Sequence, residues 1–318
     1  MSDVLPISQK IDHALSGKDL SCVAAGCTRC VNSFRRFDIV RVHWECWSQC
    51  NLSCSFCYRT RSVPLRGDDA VELVQLIAYG GARDLVFAGG DPALRRDLPT
   101  LCRTAKESGL FVEIQTNADI WSDAVEEALL LADSVALSLD GLASTHDALR
   151  GRKGNFLRVC HAMDWLEQRG VSFRVRTVVT RQNVTELTTL RSLLASYSHL
   201  GEWGIQELVQ IGDAKVSWDR LHISDTSFDE TFSELNRASS INIRAISSQD
   251  KKGTYAMVRS DGALYGTLGD LDGDFYPTVG DVRSPHLFET VSRLPFNPSR
   301  QSDRYGLAIS PTNQTQEG

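Results

Sequence analysis

Residues 39–58 read IVRVHWECWSQCNLSCSFCY, a β-branched and aromatic run followed at once by three closely spaced cysteines. The run 39–46 has strand composition, and Cys50, Cys54 and Cys57 follow on the loop with C-x3-C-x2-C spacing. Three thiolates on one short loop can each hold one iron of a cubane and leave the fourth iron without a protein ligand. An iron left open suits a cluster that must bind a cosubstrate. Zinc is the competing reading, with Cys46 as the fourth ligand.

Working outward from that loop, short β-rich runs alternate with amphipathic helical ones from about residue 38. Strands are expected near 39–46, 84–88, 111–116, 134–139, 172–179 and 203–210. Helices are expected near 68–79, 94–108, 121–132, 154–169 and 184–197. Asp68 is placed to cap the first helix, Asn183 or Thr185 the last, and Gly109 and Gly170 stand where helices should stop. Such a βα rhythm builds a parallel α/β sheet, either doubly wound or closed into a partial barrel, with ligands at the carboxyl ends of the strands. The polar and glycine-rich motifs fall at those ends: the cysteines, Gly89 to Pro92, Thr116 with Asn117, and Ser138 with Asp140.

At these residues the chain resembles the radical S-adenosylmethionine (SAM) superfamily. Phe56 stands before the last cysteine and Tyr58 after it, and the likeness extends over residues 38–211. The resemblance implies a partial (β/α)6 TIM-type barrel, a [4Fe-4S] cluster on Cys50, Cys54 and Cys57, and SAM as cosubstrate. Ala88-Gly89-Gly90-Asp91-Pro92 is similar to the family's GGEP motif, which meets the amino group of SAM, with Asp91 replacing glutamate. Asn117 and Ser138 match positions that contact the ribose or methionine part of SAM; Arg150, in His146-Asp147-Ala-Leu-Arg150-Gly151, matches the arginine that pairs with its carboxylate, and Arg152 is its neighbour. The implied chemistry is reductive cleavage of SAM to a 5′-deoxyadenosyl radical, with a flavodoxin- or ferredoxin-like electron donor.

Four segments are expected: an N-terminal cysteine-containing arm over 1–37, the barrel over 38–211, a small α+β extension over 212–305, and a disordered tail over 306–318. In the arm, Cys22, Cys27 and Cys30 either bind a second iron-sulfur cluster or zinc, with Cys46, His13 or His43 as a fourth ligand, or bind nothing. Cys102 and Cys160 lie on apolar helical patterns and read as small core residues. The extension, with a helix over SFDETFSELNRA, a hairpin over YAMVRSDGALYG and a last helix near 286–294, resembles the SPASM or twitch extension and, more loosely, viperin. It has Gly266 or Thr267 where a SPASM cysteine normally stands. His43, Arg174, Arg176, Gln206 and Glu207 are candidate barrel-lining residues, of unresolved facing.

Seven of the nine cysteines lie within 36 residues, which reads as metal ligation in a reducing compartment. A net charge of −6 with no long run of one sign argues against a nucleic-acid or anionic-membrane binder. No apolar stretch has membrane-spanning length, so a soluble cytoplasmic protein is expected. With about 38 residues ahead of the barrel, too few for a leader-recognition module, the expected substrate is a small molecule such as a sugar, nucleoside or natural-product intermediate, undergoing epimerisation, dehydrogenation, elimination or decarboxylation. The alternatives are a peptide-maturing enzyme, a viperin-like nucleotide-modifying enzyme, and a non-catalytic iron or zinc protein.

Overall fold

The computed structural model describes residues 39–237, 239–267, 278–284 and 287–305. The arm with Cys22, Cys27, Cys30 and His13, and the tail after 305, lie outside the described residues.

In chain order the elements are β1 (Arg41–Trp47), α1 (Gly67–Tyr79), β2 (Asp84–Gly89), α2 (Leu98–Glu107), β3 (Phe111–Thr116), α3 (Asp123–Leu131), β4 (Ser134–Ser138), α4 (Ala143–Arg150) and α5 (Asn155–Gln168). Then follow β5 (Phe173–Val179), α6 (Leu187–Leu194), β6 (Leu200–Glu207), α7 (Ala214–Leu221), α8 (Asp225–Asn236), β7 (Ile243–Ile246), α9 (Ser248–Lys251), β8 (Ala256–Val258), β9 (Ala263–Gly266), β10 (Thr278–Asp281), α10 (Leu287–Ser292) and α11 (Pro298–Tyr305).

The ten strands of the described residues form one sheet in the order β10-β9-β8-β1-β2-β3-β4-β5-β6-β7. The pairings from β8 through β1 to β7 are parallel, and β9 and β10 add to the β8 edge as an antiparallel pair. The sheet is not closed, with β7 and β10 as its edges, which makes the expected half-closed α/β barrel. The parallel register continues past residue 211: β7 pairs with β6, and β8 returns to pair with β1. The expected hairpin is present as β8 and β9.

Period-two alternation with one apolar side under helices accounts for the strands. Along β5, Phe173, Val175 and Val179 are fully buried, whereas Arg174, Arg176 and Val178 are half-buried. Helix α1 buries Ala70, Leu73, Val74 and Ile77, an i, i+3, i+4, i+7 stripe. Gly109 (φ 78°) and Gly170 (φ 66°) take the left-handed backbone after α2 and α5. Asp68 does not cap α1: the helix starts at Gly67 and Asp68 lies in its first turn, where a carboxylate favours the helix dipole. Asn183 stands at the N-cap position of the turn that leads into α6 but makes no capping bond, because its buried amide spans the carbonyls of Asp140 and Val178, 2.8 Å from each. Strand β6 begins three residues earlier than the apolar run at 203 indicates, because Leu200 is recruited opposite Phe173. Among the described residues no helix is long and apolar enough to cross a membrane.

Candidate active site

At the carboxyl ends of β1 to β4 the sheet opens into a cavity of about 250 Å³ that continues along its concave face. Cys50, Cys54, Phe56, Cys57 and Tyr58 line its mouth, with Gly89, Gly90, Asp91, Asn117, Ser138 and Arg150 around them. The cysteine loop leaves β1 at Trp47 and folds into a small apolar cluster of its own with Leu52, Phe56, Leu149 and Leu208.

The two glycines of the GGDP segment are there because main chain meets main chain. A Cβ on Gly89 would stand 2.4 Å from the Trp47 carbonyl oxygen, and one on Gly90 would stand 1.9 Å from that of Gln49. Gly90 N–H donates to Trp47 O (2.6 Å) and Asp91 N–H to Gln49 O (3.0 Å), so this segment fixes the start of the cysteine loop. The Asp91 carboxylate is buried and accepts from Ala93 N, Thr116 Oγ1 and Asn117 N at 2.8 to 3.1 Å. Burial nevertheless raises its pKa to about 6. Its bonds tie β2 to the end of β3, a task additional to the amine contact expected from the sequence.

Asn117 donates to Cys50 Sγ (3.6 Å) and to Asn51 Oδ1 (3.2 Å). Ser138, at the end of β4, is half-buried on the cavity wall. The HDxxRG stretch divides into four tasks. His146 Nδ1 accepts from Asp140 N–H (3.0 Å) while Nε2 meets Asn155 Oδ1 (2.8 Å), which requires the Nε2–H tautomer. Asp147 accepts from Gly154 N and Phe156 N, closing the α4–α5 turn. Arg150 pairs with Asp140 at 2.5 Å, reaches Cys54 Sγ at 3.7 Å and stacks on Phe56 at 5.3 Å. Gly151 (φ 63°) packs against Ser53, whose carbonyl oxygen a Cβ would meet at 2.9 Å. Arg150 is thus engaged with the cysteine loop, where the sequence suggested a partner on SAM. Arg152 pairs with the buried Asp119, which also holds Asn51 (2.6 Å) and Arg158 (3.1 Å).

Cys46 does not join the loop cysteines. It points to the opposite side of β1, fully buried in the apolar core, with its thiol pushed up to about 12 by burial. The zinc reading loses its fourth ligand for that reason, and strand alternation decides it. Cys102 is fully buried and Cys160 partly so, both against the core. Among the described residues no set of three His, Cys, Asp or Glu side chains is gathered on a single metal ion.

Deeper along the concave face lie charged groups, of which the sequence singled out Arg174 and Arg176 but not Arg41, Glu113, Glu202 or Arg244. Arg41 bonds Asp84 (3.0 Å) and Glu113 (3.3 Å), and Arg174 bonds Glu113 from β5 (3.0 Å). Arg176 and Arg244 flank Glu202, with Arg244 at 3.7 Å. Of the suggested lining residues, His43, Arg176, Gln206 and Glu207 line the cavity, and Arg174 stands behind it in the ion pair. Burial and the nearby Arg41 push His43 down to about 3, so it is neutral, edge-on to Tyr255 at 4.9 Å. Burial and Arg304 lower Lys251 to about 7, and its Nζ donates to Glu207 O (2.6 Å). Charged residues inside the apolar strand runs IVRVHW and FVEIQT were the available signal for Arg41 and Glu113. Arg304 arrives from α11, 263 positions beyond Arg41, and no local signal marks it.

Glu113 supports a pH prediction. Burial alone would raise its pKa, but the Arg41, Arg174 and Arg176 guanidiniums outweigh burial and hold it at about 2, against 4.5 for the free group. A depressed carboxylate stabilises the fold fully above 4.5, and that contribution is lost as pH falls toward 2. Glu113→Gln leaves Arg41 and Arg174 without their shared anion, so a loss of about 3–5 kcal/mol at pH 7 is expected. Urea unfolding at pH 7 and pH 3 checks this: the gap to wild type should narrow at the lower pH.

The model of the radical SAM superfamily matches residues 44–194, the stretch that carries the cysteine loop, the glycine segment and the HDxxRG turn. Residues 44–194 are a radical SAM domain. Members of this superfamily work with a [4Fe-4S] cluster and SAM. The chain is 29% identical over 301 residues to the S-adenosylmethionine-dependent nucleotide dehydratase of Lacinutrix mariniflava, covering 88% of this chain and 60% of that protein. It is 25% identical over 291 residues to the nucleotide dehydratase of Flammeovirga pacifica, covering 85% and 95%. The Fe-coproporphyrin III synthase of Methanosarcina barkeri is 29% identical over 160 residues, covering 48% of this chain and 40% of that protein. The chain therefore spans 40% to 60% of the length of two of these relatives. Among solved structures, Streptococcus suis SuiB bound to S-adenosylmethionine superposes with a TM-score of 0.64 at 14% identity, over 88% of this chain and 72% of that one, a likeness of fold.

The site of the radical SAM domain fits a three-thiolate cluster. Cys50, Cys54 and Cys57 all face one cavity, and two of them already receive side-chain hydrogen bonds, from Asn117 and Arg150. Such donors around ligating sulfurs are what a thiolate-bound iron site requires.

Proposed function

We propose that the chain is a radical SAM enzyme acting on an anionic nucleotide, in the manner of a SAM-dependent nucleotide dehydratase. One observation carries the reading: six basic side chains, Arg41, Arg150, Arg176, Arg244, Lys251 and Arg304, line one cavity of a chain whose net charge is −6, the first four of them in ion pairs with carboxylates. Guanidinium and ammonium groups on one cavity wall supply the donors that phosphate oxygens accept from. The two nucleotide dehydratases also align with 85% or more of this chain, so the likeness includes the region beyond the radical SAM domain that supplies Arg244 and Lys251.

Cys50, Cys54 and Cys57 would hold the cluster, which, given SAM and one electron from a donor, would supply the oxidant that removes a hydrogen atom from the substrate. The chain's own residues hold and shield. Gly89 and Gly90 bring main chain against the loop, and Phe56, Tyr58, Asp91, Asn117, Ser138 and Arg150 line the SAM side, while the expected Pro92 is buried at the start of the turn after β2 and does not line the cavity. Arg176, Arg244 and Lys251 face the anion, while Ala136, Val178, Ile246 and Met257 keep the wall between them apolar. A flavodoxin- or ferredoxin-like protein supplies the electron.

Oxygen-free, reconstituted protein with SAM and dithionite is the test, read by 5′-deoxyadenosine and by substrate mass. Nucleoside mono-, di- and triphosphates, unphosphorylated nucleosides and a candidate peptide form the panel. A phosphorylated nucleotide should stimulate cleavage and lose one water. Modification of the peptide instead, or indifference to every nucleotide, overturns the reading. Arg244→Ala should raise KM for the nucleotide about 10–100-fold with a smaller change in kcat, the loss of one charge-assisted hydrogen bond.

A further inference from the structure

We propose that Arg150 is a positioning residue that sets the reduction potential of the cluster through Cys54, with Asp140 as the counterweight. The inference rests on the cluster reading above and concerns one side chain of this domain. Arg150 Nη1 lies 3.7 Å from Cys54 Sγ, and the guanidinium is held from behind by Asp140 Oδ2 at 2.5 Å. Asp140 is itself completely buried and fixed, its other oxygen accepting from Val178 N–H at 2.7 Å. The arginine therefore cannot swing away without leaving a buried carboxylate unpaired.

The backbone repeats the contact. Ser53 N–H donates to Arg150 O (3.3 Å) and Ser55 N–H to Leu149 O (3.2 Å), so the end of α4 clasps the loop on both sides of Cys54. The close packing of Gly151 on Ser53 keeps that distance short. Cys50, by contrast, receives its side-chain donor from a neutral amide, that of Asn117. Arg150 thus gives Cys54 a cationic side-chain donor, while the Arg59 guanidinium acts on Cys50 and Cys57 through its charge, and a charge beside Cys54 acts on the whole cluster.

The direction follows from electrostatics. Reduction adds negative charge to the cluster, and a cation or hydrogen-bond donor at a ligating sulfur favours the reduced form and raises the potential. Asp140 offsets part of that charge. The two partners should therefore move the potential in opposite directions when each is neutralised, an outcome that a merely structural pair would not produce.

The experiment is an EPR-monitored redox titration, with iron counting, on anaerobically reconstituted wild type, Arg150→Gln, Arg150→Lys and Asp140→Asn. Arg150→Gln should lower the potential by about 59 mV, a tenfold shift in the one-electron equilibrium. Arg150→Lys should return most of it, and Asp140→Asn should raise the potential above wild type. Loaded variants with unchanged potentials, or shifts of the same sign for Arg150→Gln and Asp140→Asn, overturn the inference. Should Arg150→Gln take up no iron, Arg150→Lys and Asp140→Asn decide, since both retain a cation beside Cys54. A wild type that takes up no cluster would instead overturn the proposed function.

Discussion

Cys54→Ala protein, reconstituted without oxygen, is expected to lose more than about 100-fold of its affinity for iron and all detectable 5′-deoxyadenosine formation. Neighbours that only support a metal ligand are worth about 10–100-fold in affinity, and a direct ligand exceeds them. The fold should survive, because the cysteine occupies a small satellite cluster with Leu52, Phe56 and Leu149, apart from the main core. A cysteine there behaves as a small apolar group, so urea unfolding should shift by no more than about 1 kcal/mol. Iron retained at wild-type level in Cys54→Ala would show that the three-thiolate site is misassigned.

The second large effect is expected from a single methyl group. In Gly90→Ala the new Cβ would stand 1.9 Å from Gln49 O, 2.3 Å from Gln49 C and 3.0 Å from Cys50 N. All three are backbone atoms of the segment that introduces the first cluster cysteine, so no side-chain rotation relieves the clash. Overpacking of this kind costs about 1–3 kcal/mol, and here it also displaces Cys50. Iron content and SAM cleavage should both fall sharply. Gly109→Ala is the matched control: its left-handed backbone costs about 1–2 kcal/mol, but no atom lies within 4 Å of its Cβ. It should lose similar stability and keep its iron. Equal iron loss in both variants would trace the effect to stability alone.

Much of the fold was legible along the chain. Strands β1 to β5 fall within two residues of their apolar runs, because each is a short buried strand bounded by turn residues. Gly109 and Gly170 stop their helices as expected. The reading was weaker beyond residue 211, where β7 and β8 are four and three residues long and carry no periodicity of their own. They are strands because β6 and β1 offer free edges, which is a property of the assembled sheet.

The candidate site divides along the same line. Local spacing was enough to place three thiols on one loop, and the family resemblance to place two glycines at the end of β2 and an HDxxRG turn after β4, since each is a contiguous motif whose chemistry depends on near neighbours. Which partner each side chain takes was decided by tertiary structure. Strand alternation turned Cys46 into the core and away from the loop, and the close approach of α4 delivered Arg150 to Cys54, 96 positions away. The same closure gathered Arg41, Arg176, Arg244 and Arg304 around one cavity. A charge on a strand has no address in sequence until the sheet curls and sets which distant charges it faces.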